Sequence, residues 1–360
     1  MNKGRTEEKR IGFFITSASW NNFQQWHYTT AIELNKRGFN VLVITRKKSR
    51  LYSKLRGKEI EVVPFEKKKL IVPDLYRLRN ILNKHKIQTL FVSHHEDVIL
   101  GGFAKKISKL EKLIFRKGTV SKIKSGFLNN IVYKNFVDSI ITNSEANRKK
   151  MLRDEEQMLK NINIEVVYQG LNSENFNRLP HQTRHQNKGE TLIIGLSNCS
   201  NDLQYCFDLL KSIKYKVDEE KYQFVIYQES NRSMITSKMR NLNLGKKIVC
   251  QKHASNIKDF MKDIDVFFSP VSSHSFNYPL LYAMAYGKPV LGIRKGSNLE
   301  IIKDKENGLL IDKYDSNSLI KALEKMRDPG RRFELGKKAL ETVWEKFDFK
   351  QSIDQIESII

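Results

Sequence analysis

Strand-like and helix-like segments alternate from one end of the chain to the other, and this alternation restricts the fold more than any other feature. The strand-like segments are short apolar runs, and between them apolar residues recur at a spacing close to 3.6. Six runs in each half have the strand pattern, beginning with RIGFFITSA in the first half and TLIIGLS in the second. Strands that alternate with helices favour a parallel sheet with helical crossovers. The sequence therefore predicts an α/β fold with two Rossmann-like domains.

The chain of 360 residues is long enough for two such domains. A polar stretch, RLPHQTRHQNKGE, interrupts the alternation near the middle and has the composition of a linker. We predict a first domain over residues 1–180, a linker over 181–190 and a second domain over 191–345. A C-terminal helix over 346–360 is expected to cross back to the first domain. Because parallel strands present ligands at their carboxyl ends, we expect both sheets to face an interdomain cleft.

Positive charge is concentrated in the first half of the chain. Lys and Arg number 64 against 40 Asp and Glu, a net charge of +24. Residues 1–180 hold 35 basic and 17 acidic side chains, a net of +18, whereas residues 181–360 hold 29 and 23, a net of +6. A lysine-rich composition alone would spread the excess over both halves. The asymmetry indicates that the first half meets an anionic partner, such as a membrane surface. No nucleic-acid-binding module is recognisable, so nucleic acid is the least favoured partner.

The segment over residues 265–310 carries the most specific motifs. A strand ending in Ser-Pro leads to PLLYAMA, and GKPV, RKGSNLEII and NGLL follow. Supporting motifs are IITNSEANRKKML at 140–152 and VYQGLNSENFNR at 167–178. Together these motifs resemble the group 1 (family 4) GT-B glycosyltransferases over nearly the whole chain. The resemblance implies a retaining glycosyltransferase that uses a nucleotide sugar as co-substrate, with no other cofactor and no metal.

The resemblance also implies where the donor binds. The helix start at 277–280 would receive the diphosphate, because backbone N–H groups and the helix dipole favour an anion there. His274 would face the sugar and Tyr282 the nucleoside, while two cations after the next strand would assist the leaving group. The predicted donor-binding residues are His274, Asn277, Tyr278, Leu280, Tyr282 and Glu300, and the predicted catalytic residues are His94, Arg294 and Lys295.

At several positions the chain departs from the family pattern. His274 and Tyr282 stand where the family has a pair of glutamates, and Leu, Ser and Asn stand where it has cations after the first strand of the second half. The family's glycine-rich loops are replaced in both halves by other residues. These departures leave two hypotheses open. One is an active transferase with an altered donor site, and the other is a catalytically inactive GT-B protein that binds or stabilises a partner.

Polar and aromatic residues of the first half form the predicted acceptor side. A loop over 17–29, SASWNNFQQWHYT, carries aromatic residues that either stack on an acceptor or pack inside the fold. The motif SHHE follows a strand, where His94 could transfer a proton or bind an acceptor hydroxyl, and where helix capping would equally explain the motif. Adjacent histidines point to alternate faces, which argues against a zinc site. The predicted acceptor-side residues are Ser19, Trp20, Asn21, His95, Glu96, Arg116 and Lys117.

Two segments of the first half, YRLRNILNKHK and SKIKSGFLNNIVYKNF, mix basic and bulky apolar residues at helical spacing. Such helices can lie at a bilayer interface, although a helix with one buried face has the same pattern. Three cysteines and a short N-terminal apolar run are typical of a cytoplasmic protein. We expect a cytoplasmic protein, peripheral on the inner face of the cell membrane. Its acceptor is expected to be a cell-envelope or lipid-linked glycan in polysaccharide or lipopolysaccharide biosynthesis.

Overall fold

In a computed structural model the chain forms two compact units, residues 1–169 together with 350–360, and residues 170–349. The structure describes residues 9–20, 22–68, 71–118, 121–123, 126–176, 191–197, 203–213, 216, 218, 220–227, 248–250, 257–270, 276–312 and 315–360. The predicted linker over 181–190 and two predicted site residues, Asn21 and His274, lie outside these ranges.

The first unit is built on a parallel sheet of seven strands. They are β1 (Arg10–Ile15), β2 (Asn40–Thr45), β3 (Glu61–Pro64), β4 (Thr89–Val92), β5 (Lys112–Lys117), β6 (Ser139–Thr142) and β7 (Asn163–Val166). Their order across the sheet is β3-β2-β1-β4-β5-β6-β7, and every neighbouring pair is parallel. The predicted α/β fold is therefore confirmed in this half. The central strands read as continuous apolar runs because helices cover both faces of the sheet.

Seven helices accompany these strands. They are α1 (Asn22–Lys36), α2 (Arg50–Leu55), α3 (Ile71–Lys84), α4 (His95–Ile107), α5 (Phe127–Phe136), α6 (Glu145–Asp154) and α7 (Glu156–Leu159). Helix α4 packs against both α3 and α5, so these three helices form one layer on the sheet. Leu78, Val98 and Val132, one from each of the three helices, lie in the same buried core cluster. Burial of such side chains is the main source of stability for a layer of this kind.

The prediction of a loop over 17–29 is wrong from residue 22 onward, because α1 begins there. The helix buries a stripe of side chains at helical spacing, made up of Gln24, His27, Thr30, Ala31 and Leu34. Three of these five are polar, so the apolar periodicity that usually marks a buried helix face is weak. Trp26 is only 2% exposed and packs against Phe91 of the sheet, so it belongs to the core and is not a loop residue.

The second unit is built on a parallel sheet of six strands. They are β8 (Leu192–Ser197), β9 (Tyr222–Tyr227), β10 (Ile248–Cys250), β11 (Val266–Ser269), β12 (Val290–Ile293) and β13 (Leu309–Ile311). Their order is β10-β9-β8-β11-β12-β13. The accompanying helices are α8 (Leu203–Ile213), α9 (Ile257–Asp263), α10 (Tyr278–Ala285), α11 (Asn298–Ile301), α12 (Ser316–Lys325) and α13 (Pro329–Lys346). All six predicted strands of this half are present.

The last helix, α14 (Phe349–Ile359), lies almost entirely within the first unit. The Arg37 guanidinium donates to Asp354 at 2.5 Å and to Glu357 at 2.9 Å, and Ser352 Oγ donates to the Tyr168 carbonyl at 2.6 Å. The chain therefore passes into the second unit at residue 170 and returns at residue 350.

Candidate functional site

In the second unit, Asn277 is the N-cap of α10 and is 3% exposed. Its Oδ1 accepts from the Leu280 N–H at 3.3 Å, and its Nδ2 donates to Ser269 Oγ and to Asn298 Oδ1, the latter at 3.1 Å. The Asn298 amide donates in turn to the Ile293 carbonyl at 3.0 Å. Because Ser269 and Ile293 end β11 and β12, this amide network fixes the start of α10 at the carboxyl edge of the sheet.

This capping changes what the start of α10 can offer to an anion. Pro279 lies in the first turn and has no N–H, and the Leu280 N–H already donates to Asn277. The diphosphate seat predicted at 277–280 therefore lacks two of the backbone donors that a helix start usually presents. Asn277 itself is held as a cap by three buried hydrogen bonds, a role that the sequence prediction did not include.

The two tyrosines predicted at the donor side are half-buried in aromatic clusters. Tyr282 packs on Phe176, with ring centroids 5.6 Å apart, and Tyr278 packs on Phe276 at 5.2 Å. Glu300 lies in the first turn of α11, and its backbone carbonyl accepts from the Lys346 ammonium at 3.0 Å. Tyr282 and Glu300 are thus placed near α10 and α11, as the prediction requires, while their roles towards a donor stay predictions.

Arg294 follows β12 and is held by two carboxylates. Its guanidinium donates to Asp304 at 2.6 Å and to Asp312 at 3.1 Å, and the hydrogen bond from Asp304 is the main cause that raises its pKa. These residues line an open cavity of about 300 Å³ together with Lys305, Lys321 and Lys325. Two carboxylates offset the charge of Arg294, which weakens its predicted role at a leaving diphosphate. Lys295 is exposed beside it.

In the first unit, polar side chains gather where β1, β4 and β5 end. Asp97 of α4 is fully buried and accepts from the Thr16 N–H at 3.0 Å and from Thr16 Oγ1 at 2.6 Å. The Lys67 ammonium lies 2.8 Å from the same carboxylate. Asp97 therefore ties the segment after β1 to the start of α4, and this carboxylate is committed to structure.

The SHHE motif divides into three different environments. His94 is the N-cap residue of α4 and is half-buried, with its Nε2 3.4 Å from Gln24 Nε2. His95 stacks on Tyr133 with ring centroids 6.3 Å apart. Glu96 is exposed, and the hydrogen bond from Lys67 lowers its pKa. Of the three, His94 is the side chain that lies beside Gln24 and Phe23 of α1, at the carboxyl edge of the sheet.

His27 belongs to the same cluster, and the sequence prediction missed it. It is 1% exposed, its Nε2 hydrogen-bonds to Ser93 Oγ, and none of the described residues hydrogen-bonds to its Nδ1. Burial, followed by the positive charges of Arg116 and His94, holds the pKa of His27 well below its ordinary value. The ring is therefore neutral near pH 7.

Arg116 and Lys117 end β5 and are both 4% exposed. The Arg116 guanidinium lies over the rings of Trp26 at 4.6 Å and Phe23 at 5.0 Å, and donates to Gln169 Oε1 at 3.3 Å. Lys117 instead donates to the Ser121 carbonyl, and burial lowers its pKa. Successive residues of a strand point to opposite faces of a sheet, so the two cations do not act as a pair.

The remaining acceptor-side predictions lie at the edge of this cluster. Ser19 is exposed, and its Oγ is 2.8 Å from Ser17 Oγ. Trp20 is half-buried under the Lys54 ammonium, which lies 5.0 Å from its ring centroid. Among the residues that the structure describes, no group of three or more His, Cys, Asp or Glu side chains could hold a metal ion. Within the same ranges, no helix is both long and apolar enough to cross a membrane.

Two sequence-family models match the chain. Glycosyl transferase 4-like matches residues 13–144, and Glycosyl transferases group 1 matches residues 178–341. A curated relative, N-acetyl-alpha-D-glucosaminyl L-malate synthase of Bacillus anthracis, is 22% identical over 239 residues. That match covers 64% of this chain and 62% of the relative, which is less than two thirds of its length.

Solved structures share the fold along nearly the whole chain. A glycosyltransferase from Rickettsia africae superposes with a TM-score of 0.81 at 16% identity and covers 98% of both chains. Anabaena Alr3699/HepE, solved in complex with UDP and glucose, superposes with a TM-score of 0.75 at 15% identity and covers 98% of this chain and 99% of the other. Since family models match both units and the two parallel sheets have this common fold, the chain belongs to the group 1 GT-B glycosyltransferases.

Proposed function

We propose that the protein is a glycosyltransferase that moves a sugar from a nucleotide-sugar donor to a cell-envelope or lipid-linked glycan, with retention of anomeric configuration and without a metal. The observation that carries the proposal is the amide network of Asn277 and Asn298. It fixes the start of α10 at the carboxyl edge of the second sheet, where Rossmann-like domains hold their ligands. The complex of Anabaena Alr3699/HepE with UDP and glucose supports a UDP-sugar as the first donor to test.

Each predicted residue then has a defined part. The start of α10 and the exposed Lys295 would meet the diphosphate, Tyr282 the nucleoside and His274 the sugar. In the first unit, the half-buried His94 would hydrogen-bond to the acceptor hydroxyl, since a neutral or charged imidazole can exchange a proton near pH 7. Fixed positive charge at a leaving diphosphate is the term that lowers the barrier most in group transfer of this kind.

A thermal-shift titration with UDP, GDP, ADP, CMP and dTDP tests the donor side. A nucleotide that binds only the folded protein at a hundred times its dissociation constant adds about 2.7 kcal/mol to stability. We expect a shift with one nucleotide, reduced by Lys295→Ala. The matched control is Lys303→Ala, since Lys303 is an exposed lysine that pairs with Glu306. A shift that is equal in both variants would refute the role of Lys295.

A second function, a catalytically inactive GT-B protein that binds a partner, is favoured by two observations. The Leu280 N–H is used by Asn277, and Arg294 is neutralised by Asp304 and Asp312. Both reduce the donors and positive charge available to a diphosphate. No shift with any nucleotide at millimolar concentration would favour this function over the transferase.

We also propose that the first unit rests on an anionic membrane surface. The starts of α3 and α5, which flank α4, expose Ile71 at 58%, Val72 at 62% and Phe127 at 80%. Exposed apolar side chains in a basic half are typical of interfacial binding. Sedimentation with phosphatidylglycerol vesicles should be reduced by Phe127→Ser and unchanged by Leu152→Ser, a control on α6 that is 38% exposed. Equal sedimentation of both variants, or equal binding to phosphatidylcholine vesicles, would contradict this location.

A further inference from the structure

Arg116 is the least expected cation of the first unit, because it is a charged side chain that is 4% exposed at the end of a central strand. Removing a guanidinium from water is costly unless other groups stabilise its charge. Two aromatic rings of α1 do so here, with Trp26 at 4.6 Å and Phe23 at 5.0 Å from the guanidinium carbon. Rings that cover a guanidinium leave its N–H groups to donate in the plane of the fork.

Gly118 completes the seat of this guanidinium. A Cβ built on Gly118 would lie 2.4 Å from Arg116 Nη1 and 3.0 Å from the guanidinium carbon. Any other residue at 118 would therefore displace the Arg116 side chain, which the two aromatic rings hold in place. The chain thus combines three features that orient one buried cation: a glycine beside it, two rings over it and the amide of Gln169 bonded to it at 3.3 Å.

The groups around Arg116 are suited to an oxygen-rich anion. His94 and Gln24 lie at the same edge of the sheet and can hydrogen-bond to hydroxyl or carboxylate oxygens. His27 is buried and neutral, and none of the described residues hydrogen-bonds to its Nδ1. With His27 neutral, Arg116 is the fixed positive charge of this set. A carboxylate or phosphate would match its planar fork with two parallel hydrogen bonds.

We propose that the acceptor is an anionic molecule and that Arg116, held by Phe23, Trp26 and Gly118, binds its carboxylate or phosphate group. This rests on the proposed transferase function and specifies the chemistry of its second substrate. The hydroxyl that receives the sugar belongs to the same molecule, within reach of His94. Arg116 acts here as a specificity residue, because it selects an acceptor by charge before any sugar is transferred.

The test needs neither a donor nor turnover. The protein has three tryptophans, so a Trp20→Phe, Trp344→Phe background leaves Trp26, the ring next to Arg116, as the sole fluorophore. Succinate and glycerol 3-phosphate are titrated at constant ionic strength, with 1,4-butanediol and glycerol as neutral analogues. We expect a saturable change in Trp26 emission with at least one anion and none with the neutral analogues. The anion that binds more tightly identifies the acceptor as a carboxylate or a phosphate.

Variants separate the charge from its placement. Arg116→Gln should weaken anion binding by about tenfold or more, because hydrogen bonds to a charged group are the strong ones. Gly118→Ala keeps the charge but displaces it, and should also weaken binding. Arg79→Gln, which alters a guanidinium that donates to the Ile107 carbonyl, is the matched control and should bind as the parent does. Thermal melts identify any variant that fails to fold.

The proposal is overturned if the folded parent protein gives no saturable response to either anion, or if Arg116→Gln binds as tightly as the parent. If Arg116→Gln does not fold, the comparison of anions with neutral analogues and the Gly118→Ala titration still decide the outcome. Failure of the transferase function itself would be seen separately, as the absence of a nucleotide-dependent thermal shift in a protein that still responds to the anion.

Discussion

Replacing Asn277 by alanine should destabilise the second unit strongly, because the side chain makes three buried hydrogen bonds. Loss of an N-cap costs about 1 kcal/mol. Asn298 Oδ1 would also lose its partner, and an unsatisfied buried polar group costs about 1–3 kcal/mol. With the lost bond to Ser269 included, we expect Asn277→Ala to lower the free energy of unfolding by about 2–5 kcal/mol.

Urea unfolding followed by circular dichroism measures this loss. Asp328→Ala is the matched control, because Asp328 caps α13 through one hydrogen bond to Gly330 at 3.0 Å and should cost only about 1 kcal/mol. Asn277→Asp keeps the cap acceptor and loses the donors, so its stability should lie between that of the parent and that of Asn277→Ala. If Asn277→Ala costs no more than Asp328→Ala and instead abolishes the nucleotide shift, Asn277 is a donor ligand and the reasoning is wrong.

Three further outcomes are expected. Burial holds the pKa of His27 well below its ordinary value, so the unfolded chain binds a proton at a higher pH than the folded protein does. Stability should therefore fall as pH drops below about 6.5, by up to about 1.4 kcal/mol per pH unit, and His27→Gln should reduce this slope in urea unfolding; an equal slope would contradict it. A Cβ on Gly170 would lie 2.4 Å from the Asp348 carbonyl carbon, so Gly170→Ala should cost about 1–3 kcal/mol in a thermal melt, whereas Gly330→Ala, which meets only Asp328 at 3.5 Å, should not destabilise. Arg37→Ala removes two ion pairs to α14 near the surface, and should cost about 1 kcal/mol or less and lose even that at high salt, which thermal melts at two salt concentrations would check.

The sheets were predictable because their strands are buried on both faces and read as apolar runs, as FFI in β1 and VFF in β11 show. The exception is β7, a four-residue edge strand in which Asn163 and Glu165 alternate with apolar residues. The start of α1 was missed because its buried stripe includes Gln24, His27 and Thr30. The helix starts and ends of α10 followed ordinary rules, with Pro279 in its first turn and Gly287 at a positive φ of 66° after it.

The candidate site was predictable in position but not in partners. Arg116 and Lys117 were placed correctly at the end of a strand, and their period of two already implies opposite faces. The carboxylates that hold Arg294 lie 10 and 18 residues further along the chain, and nothing in the sequence pairs them with it. His27 shows the same limit, since its partner Ser93 comes from β4 through the crossover topology.

The central claim is that the protein transfers a sugar from a nucleotide donor, and release of the nucleoside diphosphate tests it most directly. The purified protein is incubated with UDP-sugars and with an extract of anionic cell-envelope glycans and lipids, and released UDP and glycosylated products are measured by mass spectrometry. The account predicts UDP release that requires the extract, with a matching gain of one sugar mass in an anionic product, and loss of both with Lys295→Ala. No release with any nucleotide sugar, from a protein whose melt shows it folded, would contradict the account.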